Sequence, residues 1–490
     1  MRIRLLGSSA ALAFLFTSLA PAHAADAESG GPGLTDFHAE TSKDIIVTAP
    51  YEQNRLDVLS GVSVLKGADL TQALRPTIGE TLSRTPGVSS TSFGPNASRP
   101  VLRGLQGERV RVLTDGLGSI DVSNTSVDHA VVVNPLLAER IEVLRGPESL
   151  LYGSSAIGGV VNVIDRRIPL SVPDEPIHVD AVGTYGSAAN ERSGAGSVDV
   201  PLAGKFVVHA DGSYTKTDDL KIGGFVLAPS KRQEALASSL LPPDPTNPDP
   251  IDFAANAALR GQLPNSASKT WTVGAGAALI TDGGNLGVSY SHYDSLYGIP
   301  IRYATLPGQG QEAPRLDLKQ DRVDMRAEVS TGGGFLQAIR GRAGYATYRH
   351  FELAPDGSVG TAFYNKGIEG RLEFVQSNRN GWQGASGVQY FSRDFNVVGD
   401  EAFLPKNETQ QIGIFTTQQF DVGRVLLEGG ARYEHTSVDS KPTANQPRFF
   451  DGRQSFSTFS GSLGASLKLG SDWRIGLNAS RTERAPSAEE

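Results

Sequence analysis

Val425-Leu426-Leu427-Glu428-Gly429-Gly430-Ala431-Arg432-Tyr433-Glu434 reads as two interleaved rows. The odd positions carry Val, Leu, Gly, Ala and Tyr; the even ones carry Leu, Glu, Gly, Arg and Glu. Two other stretches repeat the pattern. In one, Trp473, Ile475, Leu477 and Ala479 alternate with Arg474, Gly476, Asn478 and Ser480; the other, Phe206 to Thr215, sets His209, Asp211 and Ser213 on its polar side. Successive side chains of a strand point to opposite faces, so each stretch predicts one apolar and one polar face. Ten or more alternating residues outrun an ordinary sandwich strand and fit a tilted strand crossing a bilayer, with lipid on one face and a polar lumen on the other. A soluble all-β repeat protein would instead need a neighbour to cover each apolar face.

Working outward from there, the alternation predicts thirteen strands, near 176–186, 191–202, 206–216, 269–281, 286–296, 316–330, 335–353, 360–377, 382–396, 408–420, 424–437, 455–469 and 473–484. Short Gly-rich turns fall near Gly204, Gly283, Gly333, Asn380, Gly423 and Ser471. Longer polar loops fall near 217–268, 297–315, 354–359, 397–407 and 438–454. Short turns on one side and long loops on the other are the asymmetry of an outer-membrane barrel. Such barrels use even strand numbers, and a thirteenth strand would leave an edge open in lipid. With Ser487-Ala488-Glu489-Glu490 at its end, the sequence reads as truncated at its C-terminus.

The rest of the chain follows a different grammar. Residues 1–24 read as a secretory signal peptide: Arg2 and Arg4, an apolar stretch through Leu12 to Leu19, and Ala22-His23-Ala24 as the cleavage site. Residues 25–53 are a flexible segment with Gly30-Gly31-Pro32-Gly33 near its start. From 54 to 168, short apolar runs broken by Thr85-Pro86-Gly87, Thr114-Asp115-Gly116 and Arg145-Gly146-Pro147 predict a compact mixed α/β domain, with one helical turn over Leu136 to Arg140 leading into the strand Ile141–Leu144. Residues 169–490 form the predicted barrel. Past residue 24 no apolar run reaches the roughly 18 residues of a membrane-spanning helix.

Composition narrows the function. The chain has 490 residues, 45 Lys+Arg against 53 Asp+Glu, a net charge of −8 and no Cys. The acidic balance disfavours nucleic acid as a partner. The absence of Cys excludes disulfide scaffolds, Cys-based zinc modules, iron–sulfur clusters and thiol nucleophiles, and suits an oxidising compartment. No Gly-x-Ser-x-Gly elbow is present, and nothing in the sequence reads as an enzyme. Gly153 to Gly159 lacks the Lys and Ser/Thr of a phosphate loop, so these glycines are read as sharp turns and close backbone approaches.

Ala138-Glu139-Arg140-Ile141-Glu142-Val143-Leu144-Arg145-Gly146-Pro147 and Leu151-Tyr152-Gly153-Ser154-Ser155-Ala156-Ile157-Gly158-Gly159-Val160-Val161-Asn162-Val163-Ile164 resemble the plug signature of TonB-dependent outer-membrane receptors. Pro100-Val101-Leu102-Arg103-Gly104 and Arg109 to Gly116 fit the same plug, and Arg481 to Ser487 resembles a mid-barrel sequence of the family. The resemblance implies a mixed α/β plug followed by an antiparallel transmembrane β-barrel in the bacterial outer membrane, with about 13 of roughly 22 strands present here. It also implies energised uptake of a scarce nutrient, with no resident cofactor required. Asp44, Ile45, Ile46, Val47, Thr48 and Ala49 look like the TonB box, the peptide that pairs with the energy-transducing TonB protein. As β-branched residues in flexible chain they suit edge-strand addition to a partner, and equally a first strand of the plug. A passive pore, by contrast, would need an unplugged lumen.

Ser123 to Ala130, with Asp128 beside His129, resembles the zinc-uptake branch. There an Asp-His pair in the plug and an acid and a His in the barrel hold the metal. Imidazole plus carboxylates suits zinc, though a turn-capping Asp beside a solvated His would look the same in sequence. For the barrel half, Phe335, Ile339, Ala343 and Tyr345 set odd positions toward lipid, so His350 and Glu352 share the lumen face and could complete a site with Asp128 and His129. Ordinary lumen-lining residues would follow the same parity. His292 and His435 sit nearer loop bases. Zinc-type relatives often carry a His-rich loop after Tyr-Gly-x-Pro; here Tyr297-Gly298-Ile299-Pro300 is followed by none. A siderophore, haem or another organic nutrient is therefore the alternative cargo.

Overall fold

The computed structural model describes residues 4–5, 59, 61–242, 250–399, 402–470 and 473–490. Of the segment read as a signal peptide only Arg4–Leu5 (β1) is among them, paired in parallel with Val182-Gly183. Asp44–Ala49 lies outside the described residues.

The first unit is built on a five-stranded sheet. Its strands are β2 (Ser63–Lys66), β5 (Val110–Thr114), β6 (Leu117–Gly118), β7 (Arg140–Leu144) and β8 (Gly159–Ile164), in the order β2-β7-β8-β5-β6. Only the β5–β8 pair is parallel. A ribbon of β3 (Val88–Ser90) and β4 (Pro100–Leu102) and two helices, α1 (Gly67–Ala73) and α2 (Ile78–Leu82), cover it. Thr77 caps α2 by accepting from the Glu80 amide. Ile78, Leu82, Leu102, Ile141, Val143 and Val161 close the core. All six residues of β8 are buried, as expected of a strand covered on both faces, and its one polar side chain, Asn162, accepts from the Gly116 amide at 2.9 Å.

The helical turn expected over Leu136 to Arg140 is shorter and earlier than the sequence suggested. A 3-10 turn spans Pro135–Leu137, with Asn134 accepting from the Leu136 amide at 3.0 Å. Proline presets the turn's first φ, while Arg140 is drawn into β7 by pairing with Lys66 and Ile164.

The glycines of the plug motif do answer to geometry. Gly159 has φ +131°, and a Cβ there would lie 2.5 Å from the Leu144 carbonyl oxygen. This is backbone only glycine accepts.

Thirteen consecutive antiparallel strands make the second unit, matching the number and closely matching the positions read from alternation. They are β9 (His178–Gly186), β10 (Glu191–Leu202), β11 (Phe206–Thr217), β14 (Ser268–Thr281), β15 (Gly284–Gly298), β16 (Arg315–Ser330), β17 (Leu336–Leu353), β18 (Val359–Gln376), β19 (Trp382–Gly399), β20 (Lys406–Val422), β21 (Val425–Lys441), β22 (Gly452–Lys468) and β23 (Arg474–Arg481). The segment 217–268, expected as one polar loop, holds a hairpin of β12 (Leu220–Phe225) and β13 (Arg260–Leu263) and two helices. These are α3 (Pro229–Ser238), with Pro at its first position, and α4 (Phe253–Ala258), capped by Asp252. Both are too short to leave a readable 3.6-residue period.

The two rows of each strand separate as expected. Val288, Tyr290, Val323, Met325, Tyr345, Ile368, Tyr390, Ile412 and Tyr433 are exposed on the outer face. On the inner face, polar residues are buried against the first unit. The buried Glu369 carboxylate meets Arg111 at 2.6 Å, Asp211 meets Arg167 at 2.9 Å, and the Arg322 guanidinium donates to the Gly118 carbonyl at 2.7 Å. The mixed unit thus fills the concave side of the sheet. Among the described residues, no helix is long and apolar enough to cross a membrane.

Candidate metal-binding site

The loop between β6 and β7 sits at the long-loop end of the first unit. Asp121 ties it down: its carboxylate accepts from the Ser123 amide and hydroxyl at 2.9 and 2.7 Å and from the Val132 amide at 3.0 Å. Tyr297 clamps the same loop from the barrel, accepting from the Ala130 amide at 2.9 Å and donating to the Asp128 carbonyl at 3.0 Å. This double hold places His129, which is 0% exposed, against the barrel wall.

His129 has a determined orientation. Its Nδ1 lies 3.0 Å from the Val122 carbonyl oxygen and 3.0 Å from Thr125 Oγ1. A carbonyl only accepts, so Nδ1 carries a proton, and Nε2 is the nitrogen whose lone pair is free in the neutral tautomer. That nitrogen faces Glu352 Oε1 at 3.4 Å, with Asp128 Oδ1 at 4.0 Å. Ser126 donates to the same Asp128 oxygen.

His350 comes from β17, as its parity required, and is also 0% exposed. Tyr348 OH meets its Nδ1 at 2.8 Å, and its Nε2 is buried without a hydrogen-bond partner. The two imidazoles lie 4.4 Å apart edge to face, and Phe363 stacks on His350 at 4.2 Å. One ligand atom each from His129, His350 and Glu352 falls within 4.8 Å of the others. The apolar surround includes Val122, Tyr297, Leu316, Leu318, Tyr348, Phe363 and Phe395.

Two nitrogens and one or two carboxylates converging on one point, each imidazole anchored through its other nitrogen, make a donor set suited to a divalent transition metal. All four residues singled out in the sequence lie here, with Asp128 at the margin. His292 and His435 lie elsewhere. His292 contacts Asp321 and Trp271, and His435 contacts Ser457, all on the outer side. The supporting groups Val122, Thr125, Tyr348 and Phe363 carry no sequence signal beyond their types. A second buried imidazole, His209, bridges Asp199 at 2.7 Å and Asp211 at 3.3 Å. Its two nitrogens are each taken by a different carboxylate, so it knits β10 to β11 and leaves no ring nitrogen free for a ligand.

Comparison with known proteins gives the same architecture. A family model described as "TonB-dependent Receptor Plug Domain" matches residues 54–160, and one described as "TonB dependent receptor-like, beta-barrel" matches residues 259–490. Among solved structures, a copper transporter, OprC, is similar at 15% identity and TM-score 0.67, over 87% of this chain and 64% of that one. The ferric-catecholate import receptor Fiu from E. coli K12 is similar at 15% identity and TM-score 0.63, over 89% of this chain and 71% of that one. The FrpB iron transporter from Neisseria meningitidis is similar at 13% identity and TM-score 0.66, over 87% of this chain and 65% of that one. At these identities the likeness is one of fold. The chain spans just under two thirds of the OprC and FrpB chains.

Proposed function

The chain belongs to the TonB-dependent receptor family of the bacterial outer membrane, and from that premise we propose that it serves the energised uptake of a metal ion, with zinc as the cargo. The ion is held between plug and barrel by His129, His350, Glu352 and Asp128. The observation that carries this reading is the facing of the His129 Nε2 lone pair and the Glu352 carboxylate at 3.4 Å. Two electron-rich groups gain nothing from such an approach unless a cation or proton lies between them. The orphaned His350 Nε2 beside them offers a third donor. Nitrogen and oxygen donors in this ratio suit zinc, with its tetrahedral shell.

A bare ion fits better than a siderophore or haem, because both imidazoles are fully buried among aromatic side chains and leave no room for a chelator between them. A passive pore is disfavoured by the plug in the lumen. The chain's own residues supply recognition. Energy enters through TonB, which engages Asp44, Ile45, Ile46, Val47, Thr48 and Ala49 by strand addition. Pulling on that segment disturbs the plug, and the site is divided between plug and wall, so displacement of the β6–β7 loop withdraws His129 and Asp128 from His350 and Glu352 and releases the ion.

Calorimetric titration of the receptor with zinc, alongside His129→Ala, tests the reading. Tight binding that is lost in the variant supports it. No binding by the unaltered chain rejects zinc and returns the search to chelates and organic nutrients.

A further inference from the structure

Three cations stand in a row on the outer face of the sheet. Arg192 of β10 lies directly opposite Lys216 of β11, and Lys216 directly opposite Lys269 of β14. All three are exposed, while Thr215, Thr217 and Ser268 on either side of the two lysines turn inward and are buried. Like charges directly opposite one another destabilise a sheet. Elsewhere on the same face acids offset such cations: Lys319 pairs with Asp294, directly opposite, at 3.0 Å, and Lys441, which lies opposite Lys406, pairs with Glu408 at 3.0 Å. Among the described residues, no carboxylate lies within ion-pair distance of Arg192, Lys216 or Lys269.

The place of the row is equally specific. Tyr214 and Trp271, opposite one another, stand two residues nearer the short-turn end, and Tyr185 flanks Arg192. Below the aromatic pair the outer face is apolar: Val273, Ala275, Ala277 and Leu279 on β14, with Ala210, Val208 and Phe206 on β11. Gly194 and Gly196 of β10 and Gly212 of β11 share that face and leave it shallow. Aromatic side chains mark the level where hydrocarbon gives way to headgroups. The cations lie about 7 Å farther along the strands, toward the long loop that joins β11 to β14.

We propose that Arg192, Lys216 and Lys269 bind the phosphate of an anionic lipid headgroup in the outer leaflet, with its acyl chains lying along the shallow apolar face beneath. The row is then a seat for a structural lipid, and the charge left unbalanced within the protein is balanced by the membrane.

The receptor in nonionic detergent, titrated with diphosphoryl lipid A and with its dephosphorylated counterpart and read by native mass spectrometry, tests this. The phosphorylated lipid should bind roughly a hundredfold more tightly, the preference expected of three headgroup-facing cations. R192Q/K216Q/K269Q should lose that preference, and R192K/K216R/K269R should keep it. Equal binding of the two lipids, or a preference that survives in the glutamine variant, would overturn the proposal. So would displacement of the lipid by inorganic phosphate alone, which would mark a free-anion site.

Discussion

His129 Nε2 and Glu352 Oε1 face each other at 3.4 Å, although one belongs to the plug and the other to the barrel wall, 223 residues later. With the His129 Nδ1 proton committed to the Val122 carbonyl, a neutral ring gains from this contact only when a cation lies between the two groups. Glu352→Gln separates the two states. It should weaken zinc binding at least roughly a hundredfold, more than loss of a supporting group does. It should also leave the melting temperature of the ion-free protein unchanged or raised, because an amide can donate to the imidazole nitrogen. A fall in ion-free stability on Glu352→Gln would mean that the pair is a structural salt bridge.

Tyr348 holds the second imidazole. Its hydroxyl lies 2.8 Å from His350 Nδ1, while Phe363 stacks on the ring and prevents it from turning. For Nε2 to meet an ion, Nδ1 must carry the proton and the phenol oxygen must accept it. Tyr348→Phe should therefore reduce zinc affinity by about 10–100-fold, the range for groups that orient a ligand. His292→Ala and His435→Ala, on the outer side, should leave affinity unaltered. Calorimetry on the three variants measures both expectations.

The plug is fixed by buried charge as well as by shape. Glu369 is fully buried and accepts from Arg111 at 2.6 Å, from the Gly118 amide at 3.0 Å and from Gln389 at 2.5 Å. Glu369→Ala leaves the largely buried Arg111 guanidinium uncompensated, a loss of about 3–5 kcal/mol for a truncated buried pair. Because the sheet's ladder is untouched, the loss should appear as looser plug seating. Limited proteolysis should cut the plug faster while the barrel strands stay protected, and conductance in planar bilayers should rise.

These expectations rest on features that the sequence disclosed unequally. Period-2 alternation placed the strands, because a wall between lipid and a polar lumen dictates the chemistry of every second residue. The same parity put His350 and Glu352 on the inner face. What it could not supply was depth. That His129 reaches those two residues follows from Asp121 and Tyr297 clamping the plug loop, contacts between segments more than 160 residues apart in the Tyr297 case. The proton on His129 Nδ1 depends on a single carbonyl and has no signature in residue type. Helices α3 and α4 stayed hidden because a helix of ten residues or fewer in a polar loop has little apolar face to show. The row Arg192, Lys216, Lys269 was invisible for another reason: its residues are neighbours only through strand register.

Binding and transport should separate when the N-terminal segment is cut. Residues 44–49 precede the plug, and the proposed binding groups Asp128, His129, His350 and Glu352 come from the β6–β7 loop and β17. Deleting 44–49 should thus leave zinc affinity within about twofold of the unaltered receptor, since no proposed ligand or orienting group is removed. Uptake by cells should nevertheless cease, because the proposed route of energy is strand addition by TonB at these six residues. Measuring radiolabelled zinc bound to the cell surface and zinc accumulated within the same cells distinguishes the steps. Accumulation that persists in the deletion strain would show that these six residues are not the point of engagement, and would return them to the plug as its first strand.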